Sequence, residues 1–344
     1  MDSSKPSLRS LARALGLSHT TVSDALRGTG RVDSRTVERV RKAAHEMGYQ
    51  HNPLASNLMS EMRRSRGSKF RGLIAVVSRH EPEQPPQGLS FPRELLVGAS
   101  IRAQELGFGL EEFIVDRAGL TMPRLNSVLQ ARGIHGIVIL PQWTTPDWSK
   151  LEWQNYAGIY ADHSIERPAL HCVCCDHYRS MTTALSRLVS MGYRRPGLFL
   201  LAQQDERLMN RFSAAFNGFR QIPAKVPPLI PSELKREEFV AWFRKYDPDV
   251  VIAHYTTVIE WMEECGAQVP ATHGFLSLNH LYKTVPCAGL DQQPREIGAR
   301  SAEFVIAQLQ RNDRGIPAWP SMTAIPARWI DGPTLCEQSA KPAG

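Results

Sequence analysis

Apolar residues recur at helical spacing at the start of the chain. Leu8, Leu11, Ala12 and Leu15 fall at i, i+3, i+4 and i+7, which is the spacing of one helical face. Gly16 follows directly, and glycine tolerates the positive φ angle that often ends a helix. The pattern therefore predicts a first short helix that stops at Gly16.

Two more short helices are predicted next. Ser18 suits the N-cap of a second helix, whose inward residues are Val22, Ala25 and Leu26. A third helix begins at a cap on Asp33 or Ser34, and its apolar face consists of Val37, Val40, Ala44 and Met47. Three short helices with a tight turn between the first two predict a helix-turn-helix domain over residues 1–50. The alternative for this pattern is a three-helix unit that docks proteins.

From residue 71 onward, short apolar runs alternate with amphipathic stretches. The candidate buried strands are Leu73–Val77, Leu110–Val115, Ile137–Leu140, Gly158–Ala161, Leu198–Leu201, Val250–Ala253 and Gly274–Leu278. The helical patterns are Glu94–Leu106, Met122–Arg132, Arg179–Met191, Arg211–Gln221, Phe239–Tyr246 and Ile297–Gln310. Alternation of this kind predicts parallel sheets with helices on both faces.

The charge distribution favours a polyanion as the partner of the first segment. Residues 1–71 hold 14 Lys and Arg against 6 Asp and Glu, a net charge of +8. The remaining residues hold 27 against 28, a net charge of −1. A basic block beside a neutral body is typical of nucleic-acid binding, and it disfavours the protein-docking alternative.

The second helix of a helix-turn-helix lies in the major groove of DNA with its outward residues toward base edges. The outward residues here are His19, Thr20, Thr21, Ser23, Asp24 and Arg27. The side chains expected to meet phosphates are Arg9, Arg31, Arg35, Thr36 and Arg39. The expected set of DNA contacts also includes Leu8, Ser18 and Tyr49.

The segment Ser7–Arg64 resembles the head of the lactose-repressor (LacI/GalR) family of bacterial regulators. The resemblance rests on residues 7–23, 31–40 and 47–58, with their spacing intact. It implies a homodimer that reads a palindromic operator, and a hinge helix in the 51–70 linker that contacts DNA through Asn52, Ala55 and Leu58. By the same resemblance, Leu58 wedges between base pairs of the minor groove. An ordinary packed leucine is the alternative.

One residue of the head departs from the family pattern. The position after Val22 and Ser23 is commonly an arginine in the family, and here it is Asp24. A carboxylate accepts a hydrogen bond from the amino group of cytosine but cannot pair with the acceptors of guanine. The operator sequence of relatives therefore cannot be transferred to this chain.

Residues 132–141 and 191–195 extend the resemblance into the body. They imply the family's bilobal, periplasmic-binding-protein-like α/β core of two parallel-sheet subdomains, over residues 71–344. We expect an N-subdomain at about 71–174 and 294–320, and a C-subdomain at about 175–293 and 321–335. The tail after Asn312 has no leucine heptads, so we do not expect a tetramer-forming coiled coil. We expect a homodimer.

Parallel sheets bind ligands at the carboxyl ends of their strands, and polar and aromatic residues follow the predicted strands. These strand ends hold Arg79, His80, Gln142, Trp143, Gln203, His254, Tyr255, Asn279, His280, Asp291 and Gln292. The predicted effector contacts are His80, Trp143, Gln203, Arg211, His254, Asn279 and Gln292. The set resembles a sugar site. Relatives often carry an arginine three residues before the glycine of Gly218-Phe219, and that position is Ala215 here.

The remaining patterns favour a regulator over an enzyme, a metalloprotein or a membrane protein. No phosphate-loop, nucleophile-elbow or zinc-protease motif is found, so neither catalysis nor a cofactor is expected. Cys172 and Cys174 share one face of a strand while Cys175 faces the other, which disfavours a metal site with His171 and His177. With no apolar run long enough for a bilayer and no signal peptide, we expect a cytoplasmic protein with free thiols.

The expected function is a ligand-responsive repressor of carbohydrate-use genes. The alternatives are a regulator with a non-sugar effector, a DNA-binding protein with a vestigial core that binds no effector, and an enzyme fused to a DNA-binding head.

Overall fold

The computed structural model describes residues 8–27, 32–47, 71–81, 90–144, 147–163, 167–222, 224 and 226–338. Contacts between residues divide the chain into two units, Met1–Gly72 and Leu73–Gly344. We call the first unit the head and the second the core. Within the described residues, no helix is both long enough and apolar enough to cross a bilayer.

The head contains three short helices, which confirms the predicted helix-turn-helix. They are α1 (Leu8–Leu15), α2 (His19–Arg27) and α3 (Ser34–Glu46). Leu11, Val22 and Val40 contribute one fully buried side chain from each helix. Burial of each such side chain stabilises the fold by about 1.5–3 kcal/mol, so a short amphipathic segment becomes stable only by packing on the other two.

The turns of the head depend on two local features. Gly16 has a φ of +64°, a conformation that costs glycine little and that residues with a Cβ rarely adopt. Asp33 caps α3, because its carboxylate accepts a 3.0 Å hydrogen bond from the backbone N–H of Thr36.

The core contains two separate sheets, as the alternating pattern predicted. The first sheet has the strand order β10-β5-β4-β3-β1-β2, and the second has the order β11-β9-β8-β7-β6. The strands are β1 (Gly72–Arg79), β2 (Phe108–Val115), β3 (Gly136–Ile139), β4 (Ala157–Tyr160), β5 (His171–Cys175), β6 (Pro196–Phe199), β7 (Val250–Ala253), β8 (Gly274–Ser277), β9 (Ala288–Asp291), β10 (Met322–Ile325) and β11 (Arg328–Ile330).

The sheets are parallel in their interiors. The neighbours β1, β3, β4, β5 and β10 pair in parallel, as do β6, β7, β8 and β9. Only β11 is antiparallel to its neighbour among the strand pairs with a described register, and it forms an edge. The strands β3, β4, β6, β7 and β8 are buried along their whole length. Burial on both faces explains why these strands appear as continuous apolar runs in the sequence.

The helices of the core connect successive strands. They are α4 (Ser90–Glu105), α5 (Met122–Ala131), α6 (His177–Ser190), α7 (Ala202–Arg207), α8 (Arg211–Gly218), α9 (Arg236–Tyr246), α10 (Thr257–Glu264) and α11 (Pro294–Arg311). Short 3-10 helices lie at Trp153–Asn155 and His280–Tyr282. Helices α4 and α11 pack closely at Gly98 and Gly298: a Cβ on either glycine would lie 1.9 Å from a carbonyl oxygen of the other helix.

The chain passes between the two subdomains three times. We call the part around the first sheet the first subdomain and the part around the second sheet the second subdomain. The passages follow β5, β9 and β10. The expected boundary at 320/321 needs correction: β10 lies beyond it, yet it pairs with β5 in the first sheet. The return to the second subdomain therefore falls between Ile325 and Arg328.

Candidate functional site

The exposed face of α2 presents polar residues at its N-terminal end. His19 and Thr20 are exposed, and Thr21 and Asp24 are partly exposed. Ser23 needs correction, because its side chain is buried, with only 8% exposed, and does not face outward. The structure therefore leaves His19, Thr20, Thr21 and Asp24 as the polar residues in the described part of α2 that are accessible to a partner.

Three other predicted DNA contacts have structural roles in the head. The hydroxyl of Ser18 accepts a 3.0 Å hydrogen bond from the backbone N–H of Thr21 and so caps α2. Thr36 donates its backbone N–H to the cap of α3. Arg39, which we expected to meet phosphates, donates a 2.9 Å hydrogen bond to the backbone carbonyl of Leu15. Arg35 is exposed in the first turn of α3.

The remaining predicted DNA contacts are not tested by the structure. The side chains of Leu8, Arg9 and Arg27 lie outside the described part, although their backbones belong to α1 and α2. Arg31, Tyr49, Asn52, Ala55 and Leu58 lie outside the described residues altogether.

A cavity of about 50 Å³ lies in the core, at the carboxyl ends of strands from both sheets. Its described lining consists of Phe91, Pro92, Pro141, Gln142, Trp143, Ala161, Asp162, Cys174, Cys175, His177, Gln204, Arg207, Leu208, His254, Asn279, Tyr282, Gln292 and Ile297. We call this cavity and its lining the cleft. Its position is the one expected for a ligand site of parallel sheets.

The cleft brings together four of the seven predicted effector residues, which are Trp143, His254, Asn279 and Gln292. The other three are not part of the described lining. His80 borders a different cavity with Arg79 and Arg117. Arg211 approaches the sulfur of Met322 at 3.6 Å. Gln203 is exposed, and its neighbour Gln204 lines the cleft instead, because the rotation of α7 turns the adjacent residue inward.

An ion pair that sequence reasoning missed crosses the cleft. The guanidinium of Arg207, the last residue of α7, donates to the carboxylate of Asp162 at 2.5 Å. Asp162 follows β4 by two residues, so the rule of strand ends would have found it. Arg207 is the last residue of a six-residue helix and does not follow a strand directly, so that rule gives no signal for it.

Several buried polar atoms of the cleft have no hydrogen-bond partner among the described residues. They include both side-chain amide atoms of Gln142, Oε1 of Gln204, and Nδ1 of His177 and of His254. Other lining groups are already engaged: Gln292 donates to the carbonyl of Leu278 at 2.8 Å. Buried polar groups are nearly always hydrogen-bonded in folded proteins. A cleft with unpaired donors and acceptors can therefore bind a ligand that supplies both.

Three histidines and Phe212 form a row beside the cleft. The ring centroids of His163 and His177 are 4.9 Å apart, those of His177 and Phe212 are 4.5 Å apart, and those of Phe212 and His254 are 5.6 Å apart. Burial lowers the pKa of His163 and of His254 to about 4 and lowers the pKa of His177 well below its usual value. Each ring is therefore neutral at pH 7, and a neutral imidazole offers one donor and one acceptor.

The two cysteines of β5 that line the cleft have raised pKa values and are poor nucleophiles. Cys174 and Cys175 line the cleft, and burial raises the pKa of Cys175 to about 12. A thiol with so high a pKa stays protonated, and the thiolate is the reactive form. No group of three or more candidate metal ligands occurs in the described part of the chain.

Comparisons with known proteins point to one family. The family model described as "Bacterial regulatory proteins, lacI family" matches residues 7–52. The HTH-type transcriptional regulator GntR of Pseudomonas aeruginosa is 41% identical over 333 residues, which cover 89% of this chain and 90% of GntR. The HTH-type transcriptional regulator AscG of Escherichia coli is 26% identical over 200 residues, 57% of this chain and 55% of AscG. The chain thus spans only about half the length of AscG.

Solved structures of similar fold include those of two regulatory proteins. The transcriptional regulator CelR in complex with cellobiose has a TM-score of 0.55 at 18% identity, over 96% of this chain and 99% of CelR. The lac repressor dimer bound to operator and the anti-inducer ONPF has a TM-score of 0.53 at 17% identity, over 96% of this chain and 99% of the repressor chain. At these identities the likeness shows the fold, and it confirms a helix-turn-helix head with a bilobal core.

Proposed function

Because the chain belongs to the LacI family of bacterial regulatory proteins, we propose that it is a sequence-specific DNA-binding regulator of transcription. It acts as a homodimer on a palindromic operator and represses genes of carbohydrate use. The observation that carries this proposal is the helix-turn-helix of the head, with His19 and Thr20 exposed at the N-terminal end of α2. That end of the second helix is the part that reaches base edges in the major groove.

The proposal assigns two parts of the head to DNA. Helix α2 reads bases through its exposed residues. Asp24 gives it a base preference that differs from the base preference of relatives with an arginine at this position. The 51–70 linker forms a hinge helix in the minor groove, where Leu58 separates a base step. Two symmetric copies of both elements match the two halves of a palindrome.

The proposal assigns the cleft to a small polyhydroxyl effector, a sugar being the expected class. Its support is the number of buried donors and acceptors without partners, since each sugar hydroxyl supplies one of each. The aromatic ring of Trp143 adds an apolar face of the kind on which sugar rings stack. CelR, of similar fold, forms a complex with cellobiose.

The effector acts on DNA binding through the two subdomains. Lining residues come from both of them: Gln142 and Asp162 from the first, and Arg207 and His254 from the second. A ligand held by both sides favours one arrangement of the subdomains over another. The ligand can change operator affinity only as far as its own affinities for the two arrangements differ.

A second candidate is a DNA-binding regulator whose core binds no effector. The small cavity favours it, because about 50 Å³ holds a few water molecules and not a disaccharide unless the cleft opens. Ala215 favours it as well, because it is fully buried in the apolar core of the second subdomain and cannot contact a ligand.

Selection from a random DNA library tests the DNA-binding part. The purified full-length chain should enrich a palindromic sequence over several rounds. Enrichment of DNA without a shared sequence, or none at all, would contradict sequence-specific binding.

A thermal-shift screen tests the effector part and separates the two candidates. The full-length chain is heated with neutral monosaccharides, disaccharides, sugar acids and nucleosides. A compound that binds the folded state at about 100 times its dissociation constant stabilises that state by about 2.7 kcal/mol. A shift from any sugar supports the effector site, and no shift from any compound supports the core without effector.

A further inference from the structure

The ion pair between Asp162 and Arg207 differs from the other ion pairs of the core. It joins the first subdomain to the second, whereas every other ion pair between described residues joins two residues of one unit or subdomain. It is also less accessible than most, with 16% of the Asp162 side chain and 29% of the Arg207 side chain exposed. A surface pair such as Arg187 with Asp331 has 46% and 84% exposed.

The pair carries all the formal charge of the cleft. Of the described lining residues, only Asp162 is an acid and only Arg207 is an arginine or lysine. The histidines of the lining, His177 and His254, are neutral because burial lowers the pKa of each. The lining is therefore neutral as a whole, with its single positive charge already compensated.

A neutral lining of this kind discriminates between ligands by charge. An anion that takes Arg207 as its partner displaces Asp162 and leaves that carboxylate unpaired beside another negative charge. Only 16% of the Asp162 side chain is exposed, and a charge largely removed from water is destabilising when it loses its partner. An uncharged compound has no such penalty, because one hydroxyl can accept from Arg207 while its neighbour donates to Asp162. Hydrogen bonds to charged groups are the strong ones.

The unpartnered atoms of the cleft favour the same class of ligand. Nε2 of Gln142 is an unpartnered donor that either an anion or a hydroxyl can satisfy, whereas Oε1 of Gln204 and Oε1 of Gln142 are acceptors that need a donor. A carboxylate or phosphate dianion offers acceptors alone, whereas a hydroxyl offers a donor and an acceptor. An anionic group placed among these oxygens leaves them unsatisfied.

We propose that Asp162 is the residue that sets the charge of the effector: with its carboxylate on Arg207, the cleft accepts an uncharged polyhydroxyl compound and rejects the corresponding acid. Without that carboxylate, Arg207 is released to bind an anion. The inference rests on the proposed effector site. It adds that the cleft recognises the neutral compound and not the corresponding acid, and that Asp162 is the residue responsible for this selectivity.

The test uses matched pairs of an aldose and its aldonate, namely glucose with gluconate, galactose with galactonate and xylose with xylonate. Dissociation constants for the full-length chain are measured by calorimetry at equal ionic strength. Asp162→Asn keeps the shape of the side chain and removes its charge, and Arg207→Gln removes the cation. Asp331→Asn is the matched control, because Asp331 forms an exposed ion pair inside one subdomain.

The wild type should bind the preferred aldose at least about tenfold more tightly than its aldonate. Asp162→Asn should shift this ratio toward the aldonate by about tenfold or more, and Asp331→Asn should leave it unchanged. Arg207→Gln should reject the aldonate at least as strongly as the wild type does, which keeps the test valid if Asp162→Asn fails to fold.

Two results would overturn the inference and leave the effector site intact: tighter wild-type binding of an aldonate than of its aldose, or an unchanged ratio in Asp162→Asn. If none of the six compounds binds and no sugar of the thermal-shift screen stabilises the chain, the proposed sugar effector is contradicted, and the inference that rests on it falls as well. If the screen finds another sugar, the ratio is measured for that sugar and its acid, and the same two results would overturn the inference.

Discussion

The guanidinium of Arg39, on α3, donates a 2.9 Å hydrogen bond to the backbone carbonyl of Leu15, in the last turn of α1. The last four carbonyls of a helix have no partner inside the helix, and they carry the negative end of its dipole. Arg39 therefore ties α3 to the end of α1 and stabilises the head. In this arrangement one N–H group of Arg39 is engaged within the head.

Replacement of Arg39 by Met should destabilise the head by about 0.5–1.5 kcal/mol, the usual net value of one hydrogen bond. Thermal unfolding of the full-length chain, followed by a probe in the head, measures this. The slope of operator affinity against salt concentration should stay the same, because no phosphate contact is lost. Arg35→Met is the control: its exposed side chain should affect the salt slope and not stability. A reduced salt slope in Arg39→Met would contradict the structural role.

Leu58→Ala should weaken operator binding by about tenfold or more, because the loss of the wedge leaves the DNA less bent and less widely contacted. Thermal stability of the core and its affinity for effector should not change. Fluorescence anisotropy with labelled operator measures the first quantity, and calorimetry measures the second. An operator affinity equal to that of the wild type would rule out the wedge.

His254→Phe should abolish effector binding without destabilising the core. Nδ1 of His254 is buried without a partner, and replacement of such a group by an apolar ring removes a desolvation penalty. His135→Phe is the matched control, because Nδ1 of His135 contacts the carbonyl of Asn155 at 3.1 Å, away from the cleft. That variant should lose stability and keep effector binding. The prediction fails if both variants keep their effector affinity.

Stability should fall as the pH decreases from about 6.5 toward 4. Burial lowers the pKa of His254 from 6.5 to about 4, so below pH 6.5 the unfolded chain binds a proton there that the folded chain does not. The free energy of unfolding therefore decreases with falling pH, by on the order of 2 kcal/mol at pH 5 for this residue. His163, whose pKa is also about 4, acts in the same direction.

Urea unfolding at about pH 7.5 and about pH 5 measures this loss, with His254→Phe for comparison. The variant lacks the titrating group, so the difference between its two unfolding free energies should be smaller than that of the wild type by on the order of 2 kcal/mol. Equal differences in the two proteins would show that His254 is not held neutral by the fold.

The sequence predicted the layout of the fold because its signals are local. Helical spacing located α1, α2 and α3, and continuous apolar runs located β3, β4 and β7, which are buried on both faces. Strand β10 (Met322–Ile325) was missed because exposed and partly exposed residues alternate along it, so no buried apolar run marks it. Its pairing with β5 depends on a segment about 150 residues away in the chain, which no local pattern reveals.

The cleft was only partly predictable for the same reason. Strand ends identified Trp143, His254, Asn279 and Gln292, since parallel strands bring their carboxyl ends to one edge. Arg207 lies at the end of a short helix, and its importance comes from Asp162 across the cleft. The contact between Asp162 and Arg207 depends on how the two subdomains pack. The residues next to either one in the sequence do not reveal it.

The most direct test of the account compares the affinity of the full-length chain for two DNA duplexes, the palindrome obtained by selection and a duplex of the same composition in scrambled order. Anisotropy titrations at a single, physiological salt concentration give both dissociation constants. Specific binding by the head predicts a palindrome affinity at least about 10³-fold higher than the scrambled one. Equal affinities for the two duplexes would contradict a sequence-specific regulator.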